Sequence, residues 1–204
     1  MSALLSLSRL IDAISTGLGK LVMWLILAAT AISAGNAIMR KAFSIGSNAY
    51  LEIQWYLFAA TFMLGVGYVM LNNAHVRIDF ISTRLSKRTN AIIDALGLVV
   101  FTIPLALIMV NLGWPVFERA FASGEMSQNA GGLIRWPVFM LVPLGFSLLI
   151  MQSVSELIKR IGFLTGHLAE PFTVEHERSV EEVLAEELAV EAAARETALA
   201  AGKK

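Results

Sequence analysis

Residues 21–39 read LVMWLILAATAISAGNAIM, nineteen positions without a charged side chain. As a helix, at about 1.5 Å of rise per residue, this run is about 28 Å long and matches a hydrocarbon core about 30 Å thick. Three further stretches meet the same test. Residues 53–71 hold Gln54 as their one strongly polar group, residues 95–117 hold Asn111, and residues 136–154 hold Gln152. In hydrocarbon every backbone N–H and C=O must be satisfied within its own segment, so runs of this kind are predicted to be helices. The expected fold is all-α and membrane-integral, with four transmembrane helices. Pro104 and Pro143 are expected to kink the helices that contain them.

Composition agrees. The chain has 204 residues, 56% of them hydrophobic, and a mean hydropathy of +0.67, a balance that a soluble single-core domain does not need. Sixteen Lys and Arg offset sixteen Asp and Glu, which points to no nucleic-acid partner and no generally acidic substrate. Cysteine is absent, so disulfides, thiol catalysis, iron–sulfur clusters and Cys-ligated zinc are excluded.

Orientation follows from the basic residues near the span ends, because positive loops stay cytoplasmic. Arg9, Lys20, Arg77, Arg84, Lys87, Arg88, Lys159 and Arg160 fall on the side of the N-terminus, against Arg40, Lys41, Arg119 and Arg135 opposite. Eight against four places both termini inside. Tyr50, Trp55, Tyr56, Trp114 and Trp136 then mark the outer boundary, and Trp24 and Tyr68 the inner one. A cleaved signal peptide ending near Ala31, Ser33 and Ala34 is the competing reading of the first span. Its apolar run exceeds a usual signal core, and Arg40 and Lys41 follow it like a span boundary.

Two segments lie outside the spans. In residues 1–19, Leu4, Leu7, Ile11, Ile14 and Leu18 recur at helical spacing while Arg9, Asp12 and Ser15 lie elsewhere on the helix. An amphipathic helix flat on the inner interface is expected there, with a simple extension of the first span as the alternative. Residues 20–162 form the four-helix domain. Residues 163–204 are an acidic Ala/Glu-rich cytoplasmic tail, in which Val180, Val183, Leu184 and Leu188 form a thin apolar stripe on an otherwise solvated, marginal helix.

Charge translocation or catalysis at membrane depth would require ionisable groups there. Glu52, Asp94, Glu118 and Glu156 all fall at span ends, where a carboxylate reaches headgroups or water at modest cost. His75, His167 and His176 fall in loops or tail, so haem ligation within the bundle is excluded. No phosphate-binding loop or metal-ligand spacing is present. Neither cofactor nor metal nor catalytic residue is expected, and the chain is read as a non-enzyme whose role is structural support.

Three segments carry a resemblance. They are Leu51-Glu52-Ile53-Gln54-Trp55-Tyr56-Leu57-Phe58; His75-Val76-Arg77-Ile78-Asp79-Phe80; and Ser127-Gln128-Asn129-Ala130-Gly131-Gly132-Leu133-Ile134-Arg135-Trp136-Pro137, continued by Pro143-Leu144-Gly145-Phe146 and Gln152-Ser153-Val154-Ser155-Glu156. From about Ser8 to Ile161 the chain resembles the small membrane subunit of tripartite ATP-independent periplasmic (TRAP) transporters, the DctQ-like family. The resemblance implies a bacterial inner-membrane complex with a large, DctM-like permease subunit and a periplasmic substrate-binding protein that delivers an organic acid. It implies uptake driven by sodium, with substrate and ions held by the large subunit and this chain as a scaffold. The third segment looks closest to a branch associated with 2-oxo and hydroxy monocarboxylates. The long Ala/Glu tail departs from the family's short ending.

The candidate partner-interface residues have physical readings of their own. Gly131 and Gly132 permit positive φ and close approach, for a partner helix or for a plain loop-to-helix turn. Pro137 suits a first helical turn, and Arg135 and Trp136 suit anchoring at the outer headgroups. Asn129 belongs to the same segment. Glu52 and Gln54, two apart, cannot share a helix face; Glu52 faces either protein or the outer aqueous layer. Trp55 belongs to the aromatic belt. His75, Arg77 and Asp79 alternate with Val76, Ile78 and Phe80, as in a short element lying on the membrane. Small residues at Ala31, Gly35, Ala59, Ala60, Gly65 and Gly67 offer close helix contacts in lipid. The reading from another functional class is a membrane anchor or assembly subunit of an enzyme complex, which copurification with an enzyme rather than a permease would reveal.

Overall fold

The computed structural model describes residues 2–73 and 85–168. Four helices in it are long and apolar enough to cross a membrane: α1 (Ser2–Phe43), α2 (Asn48–Leu71), α3 (Lys87–Ser123) and α4 (Trp136–Leu164). The described residues contain no strand, only an isolated antiparallel bridge between Met126 and Ile134. His75, Arg77 and Asp79, and the tail from 169 onward with His176, lie outside the described residues.

The first nineteen residues are not a separate element. Ser2–Phe43 is one uninterrupted helix, about 63 Å long at 1.5 Å per residue, roughly twice the hydrocarbon thickness. Nothing between Thr16 and Leu21 breaks it: Gly17 and Gly19 weaken the helix by only about 1 kcal/mol each, and Gly19 leaves room for the Tyr68 ring. Ser8, Ile11, Ser15 and Gly19 are buried on one face, while Leu4, Leu7, Leu10 and Ile14 are exposed. The polar side of the segment therefore faces protein and its apolar side faces outward. Ser44, at a φ of 56°, ends the helix.

Proline shapes α3 from within. Pro104 has no N–H for the carbonyl of Val100, and its ring would crowd that oxygen. The helix widens to a π turn at Leu98–Thr102, where Ile103 N–H donates to Leu98 O. Pro115, not anticipated as a feature, lies further along the same helix. Gly124, in the left-handed region at a φ of 61°, terminates it. In α4, Pro137 occupies the first turn, as its missing N–H permits, and Pro143 is buried inside the helix.

The helices form a row rather than a square. α1 packs on α2, α2 on α4 and α4 on α3, and the N-terminal half of α1 also reaches α4. Small residues set the close approaches. A Cβ on Gly145 would lie 2.7 Å from the Met63 carbonyl oxygen, one on Gly113 3.3 Å from Pro143, and one on Gly67 3.0 Å from Ser15 Oγ. Backbones thus meet where lipid gives no hydrophobic drive to association. Gly35, by contrast, meets nothing within 4 Å. The outer surfaces remain apolar: Phe62 and Phe101 are each 73% exposed.

Candidate functional site

Polar structure concentrates at the two ends of the bundle. At the end carrying the α3–α4 connection, Glu52 lies in the second turn of α2 and is buried. Its carboxylate accepts hydrogen bonds from Ser127 Oγ, from Asn129 Nδ2 at 2.8 Å and from the Leu133 backbone N–H at 2.6 Å. A carboxylate is an acceptor with about four lone-pair sites, so three donors from one loop make it a clamp on that loop.

The loop is folded to present those donors. Ser127 N–H donates to Leu133 O at 2.8 Å, Arg135 N–H to Glu125 O at 2.9 Å and Gly132 N–H to Asn129 O at 2.9 Å. Gly131 turns the chain with a φ of 70°, a conformation costly for a residue bearing Cβ. Gly132 is required by space: a Cβ there would sit 2.5 Å from Ser127 Cβ and 2.9 Å from Glu52 Oε1. From α2, Asn48 Nδ2 donates to Ala130 O at 2.9 Å and Tyr56 OH to Ile134 O at 3.1 Å. Arg135 pairs with Glu125, and its guanidinium lies 4.9 Å from the Phe139 ring centroid. Trp136 packs edge-on against Phe117 and Phe121.

A cleft of about 380 Å³ opens beside the clamp, lined by Glu52, Trp55, Tyr56, Gln128, Asn129 and Arg135 among others. The structure thus gathers Glu52, Asn129, Gly131, Gly132 and Arg135 into one assembly, with Trp55, 61% exposed, on the cleft wall. Gln54 is half-buried and stands outside the clamp, and Trp136 and Pro137 begin α4. The sequence singles out neither Ser127 nor Asn48, and it marks Tyr56 only as a boundary aromatic. The signal for Ser127 is its place four residues before a Gly pair, where a hydroxyl reaches nearby backbone.

The opposite end holds a second network. Asp12 Oδ1 accepts from Ser155 Oγ at 2.7 Å and Gln152 Nε2 at 3.0 Å, and Lys159 Nζ approaches Asp12 Oδ2 at 3.3 Å. Ser15 Oγ donates to Gln152 Oε1 at 2.7 Å, and the Ser8 and Ser155 hydroxyls are 2.7 Å apart. Glu156 pairs with both Lys159 and Arg160, and Arg160 reaches Asp94 at 3.4 Å. α1, α3 and α4 are thereby tied together. Glu156, expected to reach headgroups or water from a span end, is buried, as are Lys159 and Arg160. The reason is that Asp12 and Ser15, set aside as the non-apolar side of α1, turn inward and supply partners.

Between these ends the spans hold no ionisable side chain directed at a neighbour, and no cluster among the described residues suits a metal ion. The arrangement holds helices and a loop in place.

A protein-family model described as "Tripartite ATP-independent periplasmic transporters, DctQ component" matches residues 29–162, well over half of the chain. No curated protein and no solved structure matches.

Proposed function

The chain belongs to the DctQ component family of tripartite ATP-independent periplasmic transporters, and from that premise we propose that it is the fixed scaffold of such a transporter. In this reading it sits in the bacterial inner membrane with both termini cytoplasmic. It braces a large permease subunit and widens the outer surface on which a periplasmic substrate-binding protein docks. The large subunit carries out sodium-driven uptake of an organic acid, a 2-oxo or hydroxy monocarboxylate by the likeness of the 127–137 segment.

One observation carries the proposal: the chain concentrates its polar bonding at the two membrane boundaries and leaves its middle apolar and broadly exposed. A carrier in its own right would need polar or ionisable groups facing a path at mid-depth. A brace needs rigid ends and open apolar flanks, which suit a second membrane protein. The clamped 124–135 loop supports the docking role, because a preordered surface loses less freedom on binding. The candidate contact residues there are Trp55, Asn129 and Arg135, beside the Glu52 clamp.

The test is deletion of the chain with the other two components retained. Uptake is expected to vanish while the soluble receptor still binds its substrate, and the tagged chain is expected to copurify with a multi-span permease. Normal uptake in the deletion strain overturns the proposal.

A further inference from the structure

We infer that the groove between the end of α1 and the start of α2 is a phospholipid site, taking one acyl chain of an anionic glycerophospholipid whose phosphate rests on Arg40. The groove has a volume of about 280 Å³ and is lined by Ile32, Gly35, Asn36, Met39, Ile45 and Tyr50, with Ser47 at its edge. The α1 members recur at three- and four-residue spacing, so they form one stripe of the helix. Gly35 meets nothing within 4 Å of where a Cβ would stand, which leaves the floor of the groove open.

Arg40 is four residues beyond Asn36 and so continues that stripe one turn closer to water. Its Cγ and Cδ lie 3.9 Å from the Cβ position of Gly46, so its stem runs along the 44–47 connection at the lip of the groove. Arg40 and its neighbour Lys41 are exposed in the last turn of α1, and neither has a hydrogen bond or ion pair among the described residues. The other two basic residues at this end are engaged: Arg135 pairs with Glu125, and Arg119 Nε donates to Pro115 O at 3.2 Å. Basic residues are disfavoured on a translocated face, so a pair there without a carboxylate partner is well matched to an anion supplied by the bilayer.

The lining chooses among occupants. Pockets for soluble ligands converge several polar groups, whereas this groove is walled mainly by Ile32, Met39 and Ile45. An acyl chain asks for no polar partner below the headgroup, and the lip stands where the headgroup would be. The inference rests on the chain being embedded in a bilayer with this end at the translocated face, as proposed above, and not on its role as a scaffold.

The test is retention of lipid by the purified full-length chain, measured by native mass spectrometry after exchange into detergent with added phosphatidylglycerol or phosphatidylethanolamine. One phosphatidylglycerol per chain is expected on the unaltered protein. Arg40→Gln is expected to lower its retention about tenfold, the loss of one charge-assisted hydrogen bond, and that of phosphatidylethanolamine less, because its ammonium offsets the charge of the same phosphate; Arg40→Lys is expected to keep most of it. Gly35→Leu, which fills the groove, is expected to lower retention of both lipids. Arg119→Gln, away from the groove, is the control. Unchanged retention in Arg40→Gln or Gly35→Leu overturns the inference, because Arg40 would then only complement the helix terminus. An equal loss in Arg119→Gln overturns it as well. Thermal stability of each variant in the same detergent separates lost lipid from lost fold.

Discussion

Replacing Lys159 with methionine removes the cation shared by Asp12 and Glu156 while keeping an unbranched side chain as far as Cε. Lys159 is 5% exposed and the Asp12 side chain 14%, so both charges are largely withdrawn from water. Removing one partner of a buried pair costs about 3–5 kcal/mol, because an uncompensated charge stays behind. The cost here is smaller for two reasons. Asp12 keeps donors from Ser155 at 2.7 Å and Gln152 at 3.0 Å, and Glu156 keeps Arg160. A destabilisation of about 2–4 kcal/mol is expected. The double variant Lys159→Met with Asp12→Asn removes the stranded charge along with its partner, so it is expected to be more stable than the single variants predict by about 1 kcal/mol or more. The assay is equilibrium unfolding in mixed micelles by titration with a denaturing detergent, applied to the four corners of the cycle. A Lys159→Met protein within about 0.5 kcal/mol of the parent, with additive single changes, would refute the reasoning; surface ion pairs behave in that way.

Other changes probe the other parts of the bundle. Glu52→Ala deprives Ser127, Asn129 and the Leu133 N–H of their shared acceptor, and the 124–135 loop is expected to become protease-sensitive while the helices stay intact; an unchanged cleavage rate speaks against a clamp. Gly145→Ala sets a methyl 2.7 Å from the Met63 carbonyl oxygen and is expected to cost about 1–3 kcal/mol through overpacking, read in the same detergent titration, with parental stability contradicting the close α2–α4 approach. Since the chain has no cysteine of its own, Gln128→Cys and Ser86→Cys report sidedness directly. A membrane-impermeant thiol reagent on intact spheroplasts is expected to label the first and spare the second, and the reverse pattern would invert the proposed topology.

Much of the fold was legible because lipid reduces the problem to counting. A run such as 21–39, uncharged and nineteen residues long, has one physical solution in hydrocarbon, and a helix carries each such run. The limits of helices were less legible. Nothing in residues 1–19 specifies whether an amphipathic stretch turns along the membrane or continues straight, because local propensity permits both. The choice rests on Asp12, Ser8 and Ser15 finding Gln152, Ser155 and Lys159 some 140 residues away, and that pairing has no local signature. The same reason hid Glu156 and Lys159: i, i+3 spacing shows that they meet each other, not that another helix covers them. In the candidate site, Glu52 and the glycines stood out as residue types unusual for their setting. Ser127 did not, since a serine in a loop is ordinary until its hydroxyl is seen on a carboxylate.

The row of helices joins these observations. In a square bundle each helix is held by two neighbours along its whole length, and polar clamps at the ends add little. In a row, α1 and α3 flank the pair α2–α4 and each keeps a wide apolar side toward the bilayer. Apolar contact in lipid does not fix how far such a helix tilts or slides, because lipid replaces the contact at nearly equal energy. Directional bonds at the boundaries do fix it, where water is close enough to spare the full cost of bringing charge inside. Asp12 pins the N-terminal half of α1 and Asp94 the N-terminal end of α3 to the same two turns of α4, and Glu52 pins the 124–135 loop to α2. With ends held in this way the flanks remain free to meet another membrane protein without losing their own arrangement, which is what bracing a moving partner requires.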